Sequence, residues 1–223
     1  MRYLLVLIVF LIACSSNEGK VRVAIASSFH PAFKDIKALY DSTHLGEMDL
    51  IVASSGQIAT QVVHGAPFDV FISADEDYYS PVKGKLPIKE SYLRGFLALA
   101  SNDSLGIIDS LFSNQYSVVA YPNSSVAPYG VLAEKYLQGK KIECKIVKGE
   151  SVSHVNQFLS SRNVVAALTS YSSVKNHDFK IVVFEELFLE NFIFAADNDR
   201  GEELLQFLKS EKVMNILYNH GYK

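Results

Sequence analysis

The 223-residue chain has no tryptophan, only two cysteines, six prolines and 12 glycines. These counts exclude a small domain held by several disulfides, a collagen-like repeat and a Pro/Gly-rich disordered tail. A charge excess is also missing, because 21 Lys and Arg residues stand against 24 Asp and Glu residues. Proteins that bind nucleic acid through its phosphates usually carry a basic excess, so nucleic acid is not an expected partner. Hydrophobic residues make up 49% of the chain, which is enough for a packed core.

One long hydrophobic run is present, at residues 3–13. Eleven residues of helix rise about 16 Å, roughly half the hydrocarbon thickness of a bilayer, so this run is too short to span one. Arg2 precedes the run, which is typical of a signal peptide. A buried amino-terminal helix is the alternative, although the run has no amphipathic pattern.

The residues Leu11-Ile12-Ala13-Cys14 resemble the bacterial lipobox, in which the chain is cleaved before the cysteine and the thiol is acylated. The sequence therefore predicts a lipoprotein signal peptide at residues 1–14, a lipid anchor on Cys14 and a polar tether at residues 15–20. Acyl chains contribute about 0.8 kcal/mol per buried CH₂, so several chains would hold the protein at a membrane. If Cys14 is acylated, Cys144 has no partner in the chain and is predicted to be a buried free thiol.

From residue 21 onward, short apolar runs alternate with segments of helical periodicity. This alternation is typical of a mainly parallel sheet covered by helices on both faces. The simplest arrangement has two α/β lobes, with residues 21–98 plus 191–223 in lobe I and residues 99–190 in lobe II. The strands are predicted at residues 21–26, 49–53, 70–73, 96–100, 116–120, 142–147, 164–169 and 181–184.

Three serine pairs lie between a predicted strand and a predicted helix: Ser27-Ser28, Ser54-Ser55 and Ser124-Ser125. The first amides of a helix have no partner within the helix and carry partial positive charge, and a serine adds a hydroxyl donor. Such a turn at the carboxyl end of a parallel strand is suited to an oxyanion. Serine is also a common N-cap, which binds nothing outside the helix. Position and residue type alone leave both interpretations about equally supported.

A longer motif favours oxyanion binding by these serine turns over a purely capping role. Residues His64–Asp75 read HGAPFDVFISAD and are similar to the G-A-P-x-D-[LV]-F-I-S-A-D motif of the molybdate-binding proteins of bacterial ABC importers. The resemblance covers most of residues 21–223. Supporting matches are at residues 23–28, 53–57, 128–130, 207–209 and 221–222.

The resemblance implies a two-lobed type II periplasmic binding fold of class α/β, in which each lobe is a mainly parallel sheet flanked by helices and the ligand cleft lies between the lobes. It implies two serines that bind the anion through hydroxyl and amide groups, two further backbone amides and a last hydroxyl, often that of a tyrosine. At this last position the chain has a serine, followed by a tyrosine. The predicted oxyanion-binding residues are Ser28, Ser55, Tyr129, Val152 and either Ser170 or Tyr171.

The family implies high-affinity binding of molybdate, and also of tungstate, outside the inner membrane, with delivery to an ABC permease. Molybdenum is then expected to bind only as the oxyanion, and the protein to have no cofactor and no catalytic activity. The protein is expected to be a monomer that is anchored in the cell envelope and faces the periplasm or the exterior. Molybdate is a dianion without a proton to donate, so hydrogen-bond donors alone can hold it, whereas a protonated phosphate needs an acceptor. None of the four implied turns contains Lys or Arg.

Other functions have less support in the sequence. A receptor for sulfate or phosphate is the nearest alternative, since only cavity size separates sulfate from molybdate. A ferric-ion receptor is suggested only by Asp77-Tyr78-Tyr79, and a Ser hydrolase would need a G-x-S-x-G elbow, which the chain lacks. His30 and His154 are the candidate bases of such an enzyme, and the six histidines include no i, i+4 pair for zinc.

Overall fold

The computed structural model describes residues 20–43, 47–103 and 111–223. The predicted signal peptide, Cys14 and all of the tether except its last residue therefore lie outside the described residues. Within the described ranges, no helix is both long and apolar enough to cross a membrane.

The described strands and helices alternate along the chain, as the sequence predicts. The strands are β1 (Lys20–Ala26), β2 (Glu47–Ala53), β3 (Val70–Ser73), β4 (Ile88–Ser101), β5 (Val118–Pro122), β6 (Lys145–Gly149), β7 (Ala166–Ser170) and β8 (Lys180–Ala195). The helices used below are α1 (His30–Thr43), α2 (Ser55–Val63), α3 (Tyr79–Val82), α4 (Pro128–Leu137), α5 (Val152–Ser160), α6 (Tyr171–Val174), α7 (Asp199–Leu208) and α8 (Glu211–Asn219).

The eight strands form one sheet in the order β2-β1-β3-β8-β4-β7-β5-β6. Strand β1 pairs in parallel with β2 and β3, and β5 pairs in parallel with β6 and β7. Strands β4 and β8 lie between these two parallel groups and run antiparallel to each other and to their outer neighbours. The α/β fold class predicted from the sequence is therefore confirmed.

Strands β4 and β8 are longer than the sequence pattern indicates. The apolar runs at 96–100 and 181–184 predict short strands, but the structure has 14 residues in β4 and 16 in β8. The outer parts of both strands mix exposed and buried residues, so they lack the continuous apolar run of a fully covered strand. Register shifts in their pairing occur between Ser91 and Arg94 and between Phe96 and Leu97.

These two long strands connect the two lobes. One end of β8 pairs with β3, while the far end of β4 pairs with β7. We therefore use lobe I for β1–β3 with α1–α3, α7 and α8, and lobe II for β5–β7 with α4–α6. The predicted boundaries of the lobes, between residues 98 and 99 and between residues 190 and 191, stay a prediction.

The core is built from helices that bury one face against the sheet. Helix α1 buries Phe33, Ile36 and Tyr40, which share one stripe at helical spacing. One hydrophobic cluster extends through both lobes, and two smaller clusters cover the opposite sheet face, one in each lobe. Cys144 belongs to the large cluster as a free thiol, and burial raises its pKa. The sheet is thus covered on both faces.

Candidate oxyanion-binding site

One small cavity lies where the carboxyl ends of β1, β2 and β3 face the amino ends of two helices of lobe II. The empty space is about 190 Å³, part of it open to solvent. The volume open to the centre of a water molecule is about 10 Å³, far below the about 300–1,000 Å³ of sites for drug-sized ligands, so this cavity has room only for a small ligand. The lining residues are Ala26, Ser27, Ser28, Ser54, Ser55, Ala74, Ala127, Pro128, Tyr129 and Val152.

The two serines after β2 have different roles. Ser54 is the N-cap of α2, and its hydroxyl accepts a hydrogen bond from the amide of Gln57 at 3.4 Å, while the Gln57 side chain accepts from the Ser54 amide at 3.1 Å. Ser55 is the first helical residue, and its Oγ accepts a hydrogen bond from the amide of Ala74 at 3.2 Å. A hydroxyl has one proton and two lone pairs, so Ser55 keeps its proton for a ligand.

Ser28 lies in the 3-10 turn after β1 and is 2% exposed. Its Oγ has no hydrogen-bond partner among the described residues. A buried hydroxyl left unpaired costs about 1–3 kcal/mol, so an atom of this kind needs an explanation. A ligand that enters the cavity and accepts a hydrogen bond from Ser28 supplies this explanation.

Lobe II contributes two helix starts. Helix α4 begins at Pro128, and its N-cap Ala127 makes no side-chain capping bond, so no cap uses the first-turn amide of Tyr129. In α5 the N-cap Ser151 accepts from the amide of His154, which leaves the amide of Val152 to the cavity. Both helices thus present amides and the positive end of the helix dipole to the cavity.

The cavity is built from neutral groups. Its lining contains no Lys, Arg, Asp, Glu or His within the described ranges. The same part of the chain contains no group of three or more His, Cys, Asp or Glu residues placed to hold a metal ion. What the cavity offers are serine hydroxyls and first-turn amides, which are donors for an anion.

The two lobes touch around this cavity. The amide of Gly56 in α2 donates to the carbonyl of Val126 in lobe II at 2.9 Å. The hydroxyl of Ser153 donates to the carbonyl of Ser27, and that of Ser172 to the carbonyl of Ser28, both at 3.4 Å. These hydrogen bonds join the lobes on either side of the cavity.

Four of the residues predicted from the sequence line this cavity together: Ser28, Ser55, Tyr129 and Val152. The structure does not bring the two candidates for the last hydroxyl to the cavity lining. Ser170 is fully buried at the end of β7, where its hydroxyl pairs with that of Ser172 at 2.7 Å.

Tyr171 lies on a second, larger cavity beside Lys175 and the end of the chain. The third serine pair is also elsewhere, because Ser124 donates to Glu134 at 2.7 Å and Ser125 donates to Asn123 at 3.0 Å.

The features that suggested other functions lie outside the cavity lining. Tyr79 donates its hydroxyl to the carbonyl of Pro87 at 2.7 Å, and neither Asp77 nor Tyr78 lines the cavity. His30 and His154 do not line it either, and burial lowers the pKa of His30.

Sequence reasoning missed Ala74 as a cavity residue. The position of Ala74 directly after β3 could have identified it, because the carboxyl ends of neighbouring parallel strands meet at one edge of the sheet.

The chain belongs to the bacterial extracellular solute-binding proteins, whose family model matches residues 21–223. It is 26% identical to the molybdate-binding protein ModA of Rhodobacter capsulatus over 237 aligned residues, covering 95% of this chain and 91% of that protein. It is 25% identical to YvgL, a putative ABC transporter substrate-binding lipoprotein of Bacillus subtilis (strain 168), covering 94% of this chain and 91% of YvgL.

Among solved structures, the periplasmic molybdate-binding protein of Azotobacter vinelandii superposes with a TM-score of 0.78 at 20% identity, covering 91% of this chain and 98% of that one. The resemblance stated from the sequence is thereby confirmed. These relatives are binding proteins of transport systems rather than enzymes.

Proposed function

We propose that this protein is a receptor that binds molybdate, and also tungstate, and delivers it to the permease of an ABC importer. The observation that carries the proposal is a small cavity between two lobes whose lining has serine hydroxyls and helix-start amides but no charged side chain, with the buried Ser28 hydroxyl unpartnered among the described residues. The molybdate-binding relatives point to the same ligand. The proposed ligand contacts are Ser28, Ser55, Tyr129 and Val152.

Neutral donors are sufficient for a dianion in such a cavity. A hydrogen bond to a charged group contributes about 1.5–3 kcal/mol net, and about six of them support tight binding after the costs of association. The proposed contacts come from both lobes, so a bound anion favours the arrangement in which the lobes meet. The closed arrangement is then the shape that a permease recognises.

Sulfate is the principal alternative ligand, because it has the charge and shape of molybdate and differs in size. Phosphate is the second alternative, because its proton requires an acceptor and a serine hydroxyl of the lining can accept as well as donate. Catalysis is not part of the proposal, because the two candidate bases, His30 and His154, lie outside the cavity lining.

We also propose that the protein acts as a monomer in the cell envelope, anchored through acylated Cys14 at a membrane and facing the periplasm or the exterior. Support comes from the lipobox-like residues before Cys14 and from the relative YvgL, which is described as a lipoprotein. An anchor of this kind keeps a receptor near its permease.

Calorimetric titration with molybdate, tungstate, sulfate and phosphate tests the ligand. We expect saturable binding of the first two anions, and Ser55→Ala to weaken it about tenfold or more, because one donated bond to a charged group is lost. The control is Ser125→Ala, which removes an exposed serine hydroxyl of the third pair and should leave the affinity unchanged. Absence of binding to molybdate and tungstate, or equal affinity in wild type and Ser55→Ala, contradicts the proposal.

A further inference from the structure

Four buried polar atoms lack a hydrogen-bond partner among the described residues: Ser28 Oγ, Tyr129 Oη, Asn191 Oδ1 and Tyr222 Oη. We call these four residues the buried polar cluster. Each residue is at most 2% exposed. Ser28 and Tyr129 line the anion cavity, whereas Asn191 and Tyr222 do not. The cluster therefore reaches from the cavity into the interior of the protein.

The backbone at Gly95 leaves room for part of this cluster. A Cβ atom added to Gly95 would lie 2.2 Å from Tyr129 Oη, 3.4 Å from Asn191 Oδ1 and 3.3 Å from Tyr222 Cε1. Gly95 belongs to β4 and Asn191 to β8, the two strands that connect the lobes. The cluster thus lies at the junction of lobe I, lobe II and their connection.

Tyr222 is held next to the turn that carries Ser28. Its ring stacks on Phe29, the residue after Ser28, with centroids 4.6 Å apart and planes 6° apart. Burial raises the pKa of Tyr222 far above its usual value. The phenol therefore keeps its proton at neutral pH and is a hydrogen-bond donor.

Ser28 and Ser55 differ in the hydrogen bonds that their hydroxyl oxygens accept. Ser55 Oγ accepts a bond from the Ala74 amide, which occupies a lone pair and leaves the serine proton for the cavity. Ser28 Oγ has no such backbone donor among the described residues. Ser172 is already paired with Ser170 at 2.7 Å, so the unpaired phenol of Tyr222 is the donor at hand.

We propose that Tyr222 is a positioning residue of the anion site. In the anion-bound state its hydroxyl donates to Ser28 Oγ, a hydrogen bond that the described residues do not make in this structure, so that the single proton of Ser28 is directed into the cavity and donated to the oxyanion. The inference rests on the proposed function and extends it to a residue that does not line the cavity. Tyr222 then does for Ser28 what the Ala74 amide does for Ser55.

The test is a mutant cycle read by molybdate titration. We expect Tyr222→Phe to weaken binding roughly tenfold, as loss of one hydrogen bond predicts, while the retained ring keeps its stacking on Phe29. In the Ser28→Ala background the same change should have no further effect, whereas in the Ser55→Ala background it should have its full effect. A purely structural role would not distinguish the two backgrounds. The control is Tyr79→Phe, which removes a tyrosine hydroxyl outside the cavity and should leave the affinity unchanged.

Two failures are distinguishable. If the wild type binds none of the four oxyanions, the proposed function is wrong and this inference falls with it. If the wild type binds molybdate but Tyr222→Phe binds equally well, or adds its full effect to Ser28→Ala, the positioning role alone is wrong. A crystal structure of the molybdate complex gives an independent reading, with Tyr222 Oη and Ser28 Oγ expected within about 3.2 Å of each other. A separation beyond hydrogen-bond distance overturns the inference.

Discussion

At the residue scale, Gly56 is a point of direct contact between the backbones of the two lobes. Its amide donates to the carbonyl of Val126, and a Cβ added to Gly56 would lie 2.9 Å from that oxygen and 3.0 Å from Val126 Cα. Both neighbours are backbone atoms, which cannot turn aside as a flexible side chain does. The residue therefore permits a contact between the lobes that a larger side chain would obstruct.

Gly56→Ala is expected to disfavour the closed arrangement and to weaken molybdate binding roughly tenfold, since overpacking commonly costs about 1–3 kcal/mol. Titration measures the affinity, and small-angle X-ray scattering with and without molybdate measures the closure. Gly84→Ala is the control, because a Cβ there meets no atom within 4 Å. Equal affinity and equal compaction in Gly56→Ala and wild type would refute the expectation.

At the element scale, two consecutive helices of lobe I differ in whether a side chain caps their first turn. Helix α7 is capped by Asn198, whose side chain accepts from the amide of Gly201 at 2.9 Å. Helix α8 begins after Ser210, which makes no side-chain capping bond. Asn198 and Ser210 are both N-cap residues outside the cavity lining, but only Asn198 makes a side-chain capping bond.

Asn198→Ala is expected to lower the free energy of unfolding by about 1 kcal/mol, because an amide of the first turn loses its partner. Ser210→Ala should change it by much less. Urea unfolding followed by circular dichroism measures both, and molybdate affinity should stay unchanged in each. Equal losses of stability in the two variants would show that the capping bond of Asn198 is not the cause.

At the scale of the whole molecule, two lobes joined by β4 and β8 meet around one cavity, and the predicted anchor precedes the first strand. The proposed mechanism needs both parts, because closure carries the signal and the anchor keeps the receptor near the membrane. The two cysteines have different proposed roles, because Cys14 carries the anchor whereas Cys144 is a buried free thiol of lobe II.

Cys14→Ser is expected to move the protein expressed in a bacterial cell from the membrane fraction to the soluble fraction, because no acyl chain can be attached. Cys144→Ser is the matched control and should remain with the membranes. Fractionation and immunoblotting measure the distribution. The anchor is disproved if wild type and Cys14→Ser distribute alike.

Much of the fold was accessible from the sequence, because strand and helix periodicities are local. The extent of β4 and β8 was not, since their outer parts lack a continuous apolar run and are defined by pairing with each other. Within the site, Ser28 and Ser55 followed from strand-to-helix turns and from the family motif. Their placement in one cavity depends on the order β2-β1-β3, which brings the ends of these strands together.

The sequence by itself determined the alternation of strands and helices, the family and the neutral chemistry of the serine turns, because each of these depends on residues close together in the chain. The tertiary structure decided the hydrogen-bond partners of the serine hydroxyls. Ser54 and Ser55 are adjacent and chemically identical, yet one caps its helix and the other accepts from Ala74 on another strand end. Likewise, only the packed fold brings Tyr222 against the turn that carries Ser28, since long-range packing and not local pattern sets that contact.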